Sequence, residues 1–269
     1  MIKDSYFHQP QVSNSDLSWL EYYFMPPQRV FDLTKAYAFG SLIDAMITEP
    51  DKVNYFKLQV KGIDYQFTKD DFDKAQKMKL SFYKDEFCRM IINRCSFQKV
   101  SVKLQFEIEY CGWKFILAAR CKWDFFDEKV DFSGDIKSTT ATTQKQCEAL
   151  VDYFNYDRSR AWYMDIEGRS NDILIFISKV NFKIFKVVIK KGGEIYNRGK
   201  AKYQELAFRW WYLFGDLTPQ GFMDEIDTFP EDDFNYLEPR YSLPAYFDEN
   251  DRGGTGHGDE SFSDADPGL

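Results

Sequence analysis

The sequence predicts an α/β (α+β) fold, a central mixed β-sheet flanked by helices. Three observations predict it. Cap-type residues followed by helical apolar spacing open the chain, period-two segments fill its middle, and an amphipathic helical pattern closes the folded part.

In chain order, "SNSDLSWLEYYF" (residues 13–24) starts with capping residues and continues as a helix, and after "PPQRVFDLTKAY" a second helix reads from "AYAFGSLIDAMI". Thr68 and Asp71 have capping-box spacing before "FDKAQKMKLSFYKDEFCRMIINRC", which reads as one long helical region ending near Cys95. The period then changes. In "VKLQFEIEY", Val102, Leu104, Phe106, Ile108 and Tyr110 alternate with polar residues, the mark of a half-buried strand. Cys111-Gly112 reads as a two-residue hairpin turn, "WKFILAARCKWDFF" as the returning strand, and "DIKST" as the start of the next. Residues 144–165 read as helix, broken near Asn155. "DILIFIS" and "FKIFKVVI" read as strands. "KAKYQELAFRWWYLF" closes the fold, with Tyr203, Leu206, Ala207, Trp210 and Phe214 near one face.

The chain has 269 residues, 44% hydrophobic and 18% aromatic, enough for a sizeable core. No uninterrupted apolar run approaches the ~20 residues of a membrane helix. "MIKDSYFHQP" lacks the apolar core of a signal peptide, so a cytoplasmic protein without membrane partners is expected. Five cysteines without a CxxC pair argue against a disulfide framework or a zinc site. His8 and His257 are the only histidines, which leaves little for histidine-based catalysis. Any metal should be a hard ion held by carboxylates, Mg²⁺ or Mn²⁺. The net charge is −8, but residues 224–269 carry 14 acidic residues against Arg240 and Arg252, and the remainder is mildly basic at +4. The overall sign therefore does not exclude DNA. One domain is expected over residues 1–229, with an acidic, disordered tail over 230–269.

The chemistry centres on "FSGDIKSTTATTQ". Asp124 ends one predicted strand, and Asp135 and Lys137 begin the next, eleven positions on. Asp135 and Lys137 share a strand face, and neighbouring strands usually pair, so the three side chains can converge at one sheet end. Two carboxylates suit a divalent cation at a phosphodiester, and the lysine can position or deprotonate water or steady developing charge. On spacing alone the signal is weak: Asp-x-Lys is frequent by chance, and a surface ion pair on a hairpin is the ordinary reading.

The surrounding residues add a resemblance. From "VSNSDLSWL" through "AFGSLIDAMITEP", "RCKWDFFDEKVDFSGDIKST" and "YDRSRAWYMDI", roughly residues 12–190, the chain resembles the PD-(D/E)XK nuclease superfamily. Within it, the likeness is to RecB-like phage and prophage recombination exonucleases of the RecE type. The resemblance implies a nuclease-like core of mixed sheet and helices and Mg²⁺-dependent DNA cleavage. It implies metal ligands at Asp124 and Asp135, a backbone ligand at Ile136, and a catalytic lysine at Lys137. The helical histidine of the pattern is here Asp44, four residues after Gly40, which is expected to let the helix approach the sheet. Asp44 can be an oxygen ligand or a solvated or capping residue. The glutamine of a Gln-x-x-x-Tyr pattern is here Ser159, while Tyr163 fits. Arg158 and Arg160 can meet phosphate or belong to an ordinary helix face. Ser138 and Thr139 can bond the DNA backbone, and Trp210, Trp211 and Arg209 are read first as helix packing and surface. An iron–sulfur cluster is not expected, because no cysteine follows Cys147. The resemblance further implies double-stranded DNA ends as substrate, a single-strand annealing partner, a homo-oligomeric ring and a bacterial host cytoplasm. A nuclease-fold binding module and an endonuclease are the alternative functions. The acidic tail is read as a solubility element, or as a segment that docks a basic partner or shields the DNA channel.

Overall fold

A computed structural model describes Tyr6, residues 9–25 and residues 33–215. The acidic tail and both histidines lie outside the described residues.

The helices begin where the capping residues put them. Helix α1 (Asn14–Phe24) is capped by Ser13, whose side chain accepts from the Asp16 N–H while Asp16 returns a bond to the Ser13 backbone. Helix α2 runs Thr34–Thr48. A small hairpin, β1 (Val53–Asn54) with β2 (Gln59–Val60), follows it. Thr68 and Asp71 form the expected capping box at the start of α3 (Lys69–Lys84). The long helical region is in fact two helices. Asp85 takes extended backbone, accepts from the Cys88 N–H, and so caps α4 (Glu86–Arg94). Its carboxylate also meets Lys186 across the fold at 2.6 Å.

The sheet is mixed, five strands in the order β3 (Ser96–Tyr110), β4 (Trp113–Asp127), β5 (Phe132–Thr139), β6 (Asn171–Ser178) and β7 (Ile184–Lys190). Every neighbouring pair is antiparallel except β5 and β6. Cys111 and Gly112, with φ of 49° and 81°, make the tight turn between β3 and β4, as two-residue hairpins require. The β5–β6 crossover holds α5 (Gln144–Tyr153) and α6 (Tyr156–Glu167), separated at Asn155 in the left-handed region. Helix α7 runs Glu194–Phe214, starting earlier than the sequence pattern shows.

Helices cover both faces. Side chains from α1, α5, α6 and α7 pack with Trp123, Phe126, Leu174 and Phe176 into one core, whereas α2, α3 and α4 pack with Phe125, Ile136, Ile173 and Ile175 into the other. Strand β6 is thus buried on both sides, and this accounts for its nearly continuous apolar run. Trp210 is 1% exposed in the first core and Trp211 stacks on Phe115, which makes packing the role of both. Arg209 pairs with Glu205 along its helix. Among the described residues no helix is long and apolar enough to cross a membrane.

Gly134 is where the sheet is tightest. A Cβ there would lie 2.2 Å from Phe125 Cζ and 2.4 Å from the Ile173 carbonyl oxygen. Gly134→Ala is therefore expected to destabilise the protein by about 1–3 kcal/mol or more, through overpacking between β4 and β6. Urea denaturation of the two proteins checks this.

Candidate active site

Strands β4 and β5 pair for three residues only, Phe125 with Gly134, Phe126 with Ser133 and Asp127 with Phe132, and then diverge. At the divergence a side chain replaces the backbone ladder. The Ile136 N–H donates to Asp124 Oδ2 at 2.8 Å. Further along, the freed edge of β4 is taken by Val12, whose N–H donates to the Ala118 carbonyl and whose carbonyl accepts from the Arg120 N–H, both at 2.8 Å. The splay opens a groove of about 450 Å³ between α2 and the α5–α6 region. Asp44, Asp124, Ile136 and Lys137 line it, and Tyr37 and Phe154, 69% and 43% exposed, stand along it as aromatic walls.

Asp135 lies against this groove without lining it. It is 6% exposed. Its Oδ2 sits 2.5 Å from Lys137 Nζ, and its Oδ1 accepts from Arg160 Nη1 at 3.3 Å. Both Asp135 oxygens thus face a cation, Oδ2 the Lys137 ammonium and Oδ1 the Arg160 guanidinium. The structure thus brings Asp124, Asp135 and Lys137 together, as the strand register allows, and adds Asp44 from α2.

The charges are mutually perturbing. Burial and then the neighbouring carboxylates Asp135 and Asp44 push Asp124 well above the usual carboxylate range. Burial and then Asp135 push Asp44 up to about 6. For Lys137, burial pushes the ammonium down, but Asp135 and Asp124 outweigh it and the net direction is up. With two carboxylates beside it, Lys137 is held in its ammonium form.

Such crowding is what a bound cation would relieve. The donors are oxygens, suited to a hard ion, and Asp44, Asp124 and Ile136 line the same groove. Among the described residues, however, no three carboxylates already stand as a metal shell. Each is held elsewhere: Asp124 by Ile136, Asp135 by Lys137 and Arg160, and Asp44 by Gln98 and Thr48. One or two carboxylates with water and phosphate oxygens suffice for Mg²⁺, and the site fits that smaller demand.

The raised Asp44 has a consequence for stability. Its folded value, about 6, lies above the ordinary 3.8. Between those values the folded chain holds a proton that the unfolded chain has lost, so the Asp44 contribution falls as pH rises from about 4 through 6. Denaturation midpoints at pH 5 and pH 7.5 test this. The expected result is that Asp44→Asn removes part of the decline, and that Mg²⁺ at pH 7.5 raises the wild-type midpoint.

The other expected site residues fall into two groups. Ser138 lines the groove, and Thr139 is 7% exposed with its Oγ1 accepting from the Ala141 N–H. A Cβ on Gly40 would meet Ser138 Oγ at 3.9 Å, an ordinary contact, so the approach of α2 to the sheet does not require glycine there. On α6 the expectation of phosphate contacts gives way to buried ion pairs. Arg158 is 2% exposed and staples α6 to α1 through Asn14, Ser18 and Glu21. Arg160 is fully buried, bidentate to Asp172 at 3.0 Å through Nε and Nη2, and stacked near Trp123 and Tyr163. Ser159 donates to the Tyr156 carbonyl, and Tyr163 is half-buried against Trp123. Arg160 therefore acts at the site from behind, by holding Asp135, and Asp172 holds Arg160. The sequence offers only an isolated buried-strand aspartate as a signal for Asp172. Gln98, which donates to Asp44, has no sequence signal.

No family profile and no curated protein matches the chain. Solved structures similar to it include the following three. A phage-related exonuclease from Haemophilus somnus 129PT has TM-score 0.36 and 11% identity over 80% of this chain and 96% of its own. SSO0001 has TM-score 0.33 and 12% identity over 76% and 87%. LHK-Exo in complex with dAMP has TM-score 0.27 and 12% identity over 76% and 91%. Likenesses this distant carry no functional argument, and the site is read from its own geometry.

Proposed function

We propose that the chain is a metal-dependent DNA exonuclease that hydrolyses phosphodiester bonds at DNA ends, in recombination or end processing of the phage or prophage kind. The observation that carries this reading is the splay of β4 from β5, which gathers Asp124, Asp135, Lys137 and Asp44 at one groove. Asp124 and Asp135, with the Ile136 carbonyl, would hold Mg²⁺ or Mn²⁺, and Asp44 would complete the shell from α2. Such an ion, when bound, polarises the phosphate and acidifies a water.

The remaining roles belong to the chain. Lys137 now neutralises Asp135 at 2.5 Å. Beside a phosphodiester in the groove, the Lys137 ammonium would stabilise the charge that grows as water adds to phosphorus and the ester oxygen leaves. Arg160 keeps Asp135 in place through Nη1. Tyr37 and Phe154 offer ring faces to unpaired bases, whose stacking tolerates any sequence. The motif resemblance supports the DNA setting, including double-stranded ends, an annealing partner and a ring assembly.

Matched linear and covalently closed circular duplexes test the exonuclease reading. With Mg²⁺, the linear form is expected to be degraded and the closed form spared. Cutting of the closed circle would make the protein an endonuclease. Inertness toward both, with Mg²⁺ and with Mn²⁺, would favour a binding module.

A further inference from the structure

Gln98 has a backbone conformation that its strand does not explain. It lies inside β3, yet its φ is 56°, in the left-handed region that a non-glycine residue adopts at a cost. Phe97 pairs with Phe125 and Lys99 with Trp123, so Gln98 stands opposite Asp124, and that rung of the ladder is missing. The partner strand is irregular at the same level: Trp123 and Phe126 enter one core while Phe125 enters the other. One local break in the β3–β4 ladder therefore redirects two side chains, Asp124 on β4 and Gln98 on β3.

The Gln98 side chain uses that redirection. Its Nε2 donates to Asp44 Oδ2 at 3.1 Å and to Thr48 Oγ1 at 3.1 Å. Thr48 in turn donates to the Asp44 carbonyl at 3.0 Å and lies 3.3 Å from Asp44 Oδ1. The amide orientation is dictated by the partner, because the opposite one would set a carbonyl oxygen against a carboxylate. A neutral amide also orients the carboxylate without cancelling its charge, as a lysine or arginine would. Carboxylates that ligate metals are commonly held by such outer hydrogen bonds.

We propose that Gln98 is the positioning residue for Asp44: the strained turn at Gln98 is retained because it brings the amide to the Asp44 carboxylate and aims that carboxylate at the cation site. This inference rests on the reading of the groove as a metal-binding site.

The test uses the full chain and direct Mn²⁺ binding by titration calorimetry, beside urea denaturation. Glycine relaxes the left-handed backbone, and asparagine tolerates it but is too short to reach Asp44. Gln98→Gly and Gln98→Asn are therefore expected to keep or gain stability while losing about 10–100-fold in Mn²⁺ affinity. Gln98→Gly combined with Asp44→Asn should bind no more weakly than Asp44→Asn alone. A purely structural role for Gln98 predicts unchanged Mn²⁺ affinity in both single variants, and that result overturns the proposal. So does additive loss in the double variant, or a wild type that binds no Mn²⁺. The two readings fail separately. If the Gln98 variants lose Mn²⁺ affinity but the wild type cuts no DNA, the positioning role stands and the nuclease reading falls. If DNA is cut and the variants keep wild-type Mn²⁺ affinity and kcat, the positioning role falls alone.

Discussion

Asp124→Asn is expected to lower DNA cleavage by on the order of 10³-fold or more, and to raise the stability of the cation-free protein. Both effects follow from one geometry. The asparagine Oδ1 can still accept from the Ile136 N–H, which Asp124 now does at 2.8 Å, so the splay of β4 from β5 survives. What disappears is a negative charge that burial, Asp135 and Asp44 all oppose. The substitution thus removes a proposed ligand and relieves a repulsion, the trade between stability and activity expected of a functional group held against its own charge preference. Rate assays on linear DNA and urea midpoints at pH 7 report the two halves separately. A variant as active as wild type would exclude Asp124 from the chemistry. An inactive but less stable variant would give its carboxylate a structural role.

Arg160→Met is expected to cost about 3–5 kcal/mol, the largest stability effect at this site, because it leaves the buried Asp172 without its cation and takes one of two cations from Asp135. Arg160 binds Asp172 through two nitrogens at 3.0 Å and Asp135 through a third at 3.3 Å. Burial pushes its guanidinium down, but Asp172 and Asp135 outweigh this and keep it charged. Adding Asp172→Asn to Arg160→Met should recover part of the loss, since one uncompensated charge is then gone. Arg160→Lys should fall between the two, because a lysine cannot reproduce the planar fork. Chemical denaturation of the wild type and these three variants measures the differences. A loss under about 1 kcal/mol for Arg160→Met would show that water or neighbouring groups already satisfy Asp135 and Asp172.

What could be read from the sequence is what depends on near neighbours. Ser13 with Asp16 and Thr68 with Asp71 lie three apart, so both helix starts are visible as residue pairs. Asp135 and Lys137 lie two apart on a strand, and the alternation of side chains places them together. The break of the long helical region at Asp85 was available in principle, because an aspartate before "EFCR" is a capping residue; the continuous apolar spacing masked it. The partners of Arg158 and Arg160 were not available. Glu21 lies 137 positions from Arg158, and nothing local distinguishes an arginine that staples two helices from one that faces solvent. Gln98 was hidden more deeply. It reaches Asp44 across 54 positions, from a left-handed turn inside a strand, a conformation that no residue type in "RCSFQKV" signals.

A metal-dependent phosphodiesterase centre at the splayed strands is testable on DNA itself. The most direct measurement is release of acid-soluble nucleotides from a uniformly labelled linear duplex, by the full chain with Mg²⁺, before and after EDTA, beside Asp135→Asn. A metal-dependent centre predicts steady release with Mg²⁺, its arrest by EDTA, and none above background from the variant. Release that continues in EDTA, or in Asp135→Asn at the wild-type rate, would contradict it, as would a wild type that releases nothing with either Mg²⁺ or Mn²⁺.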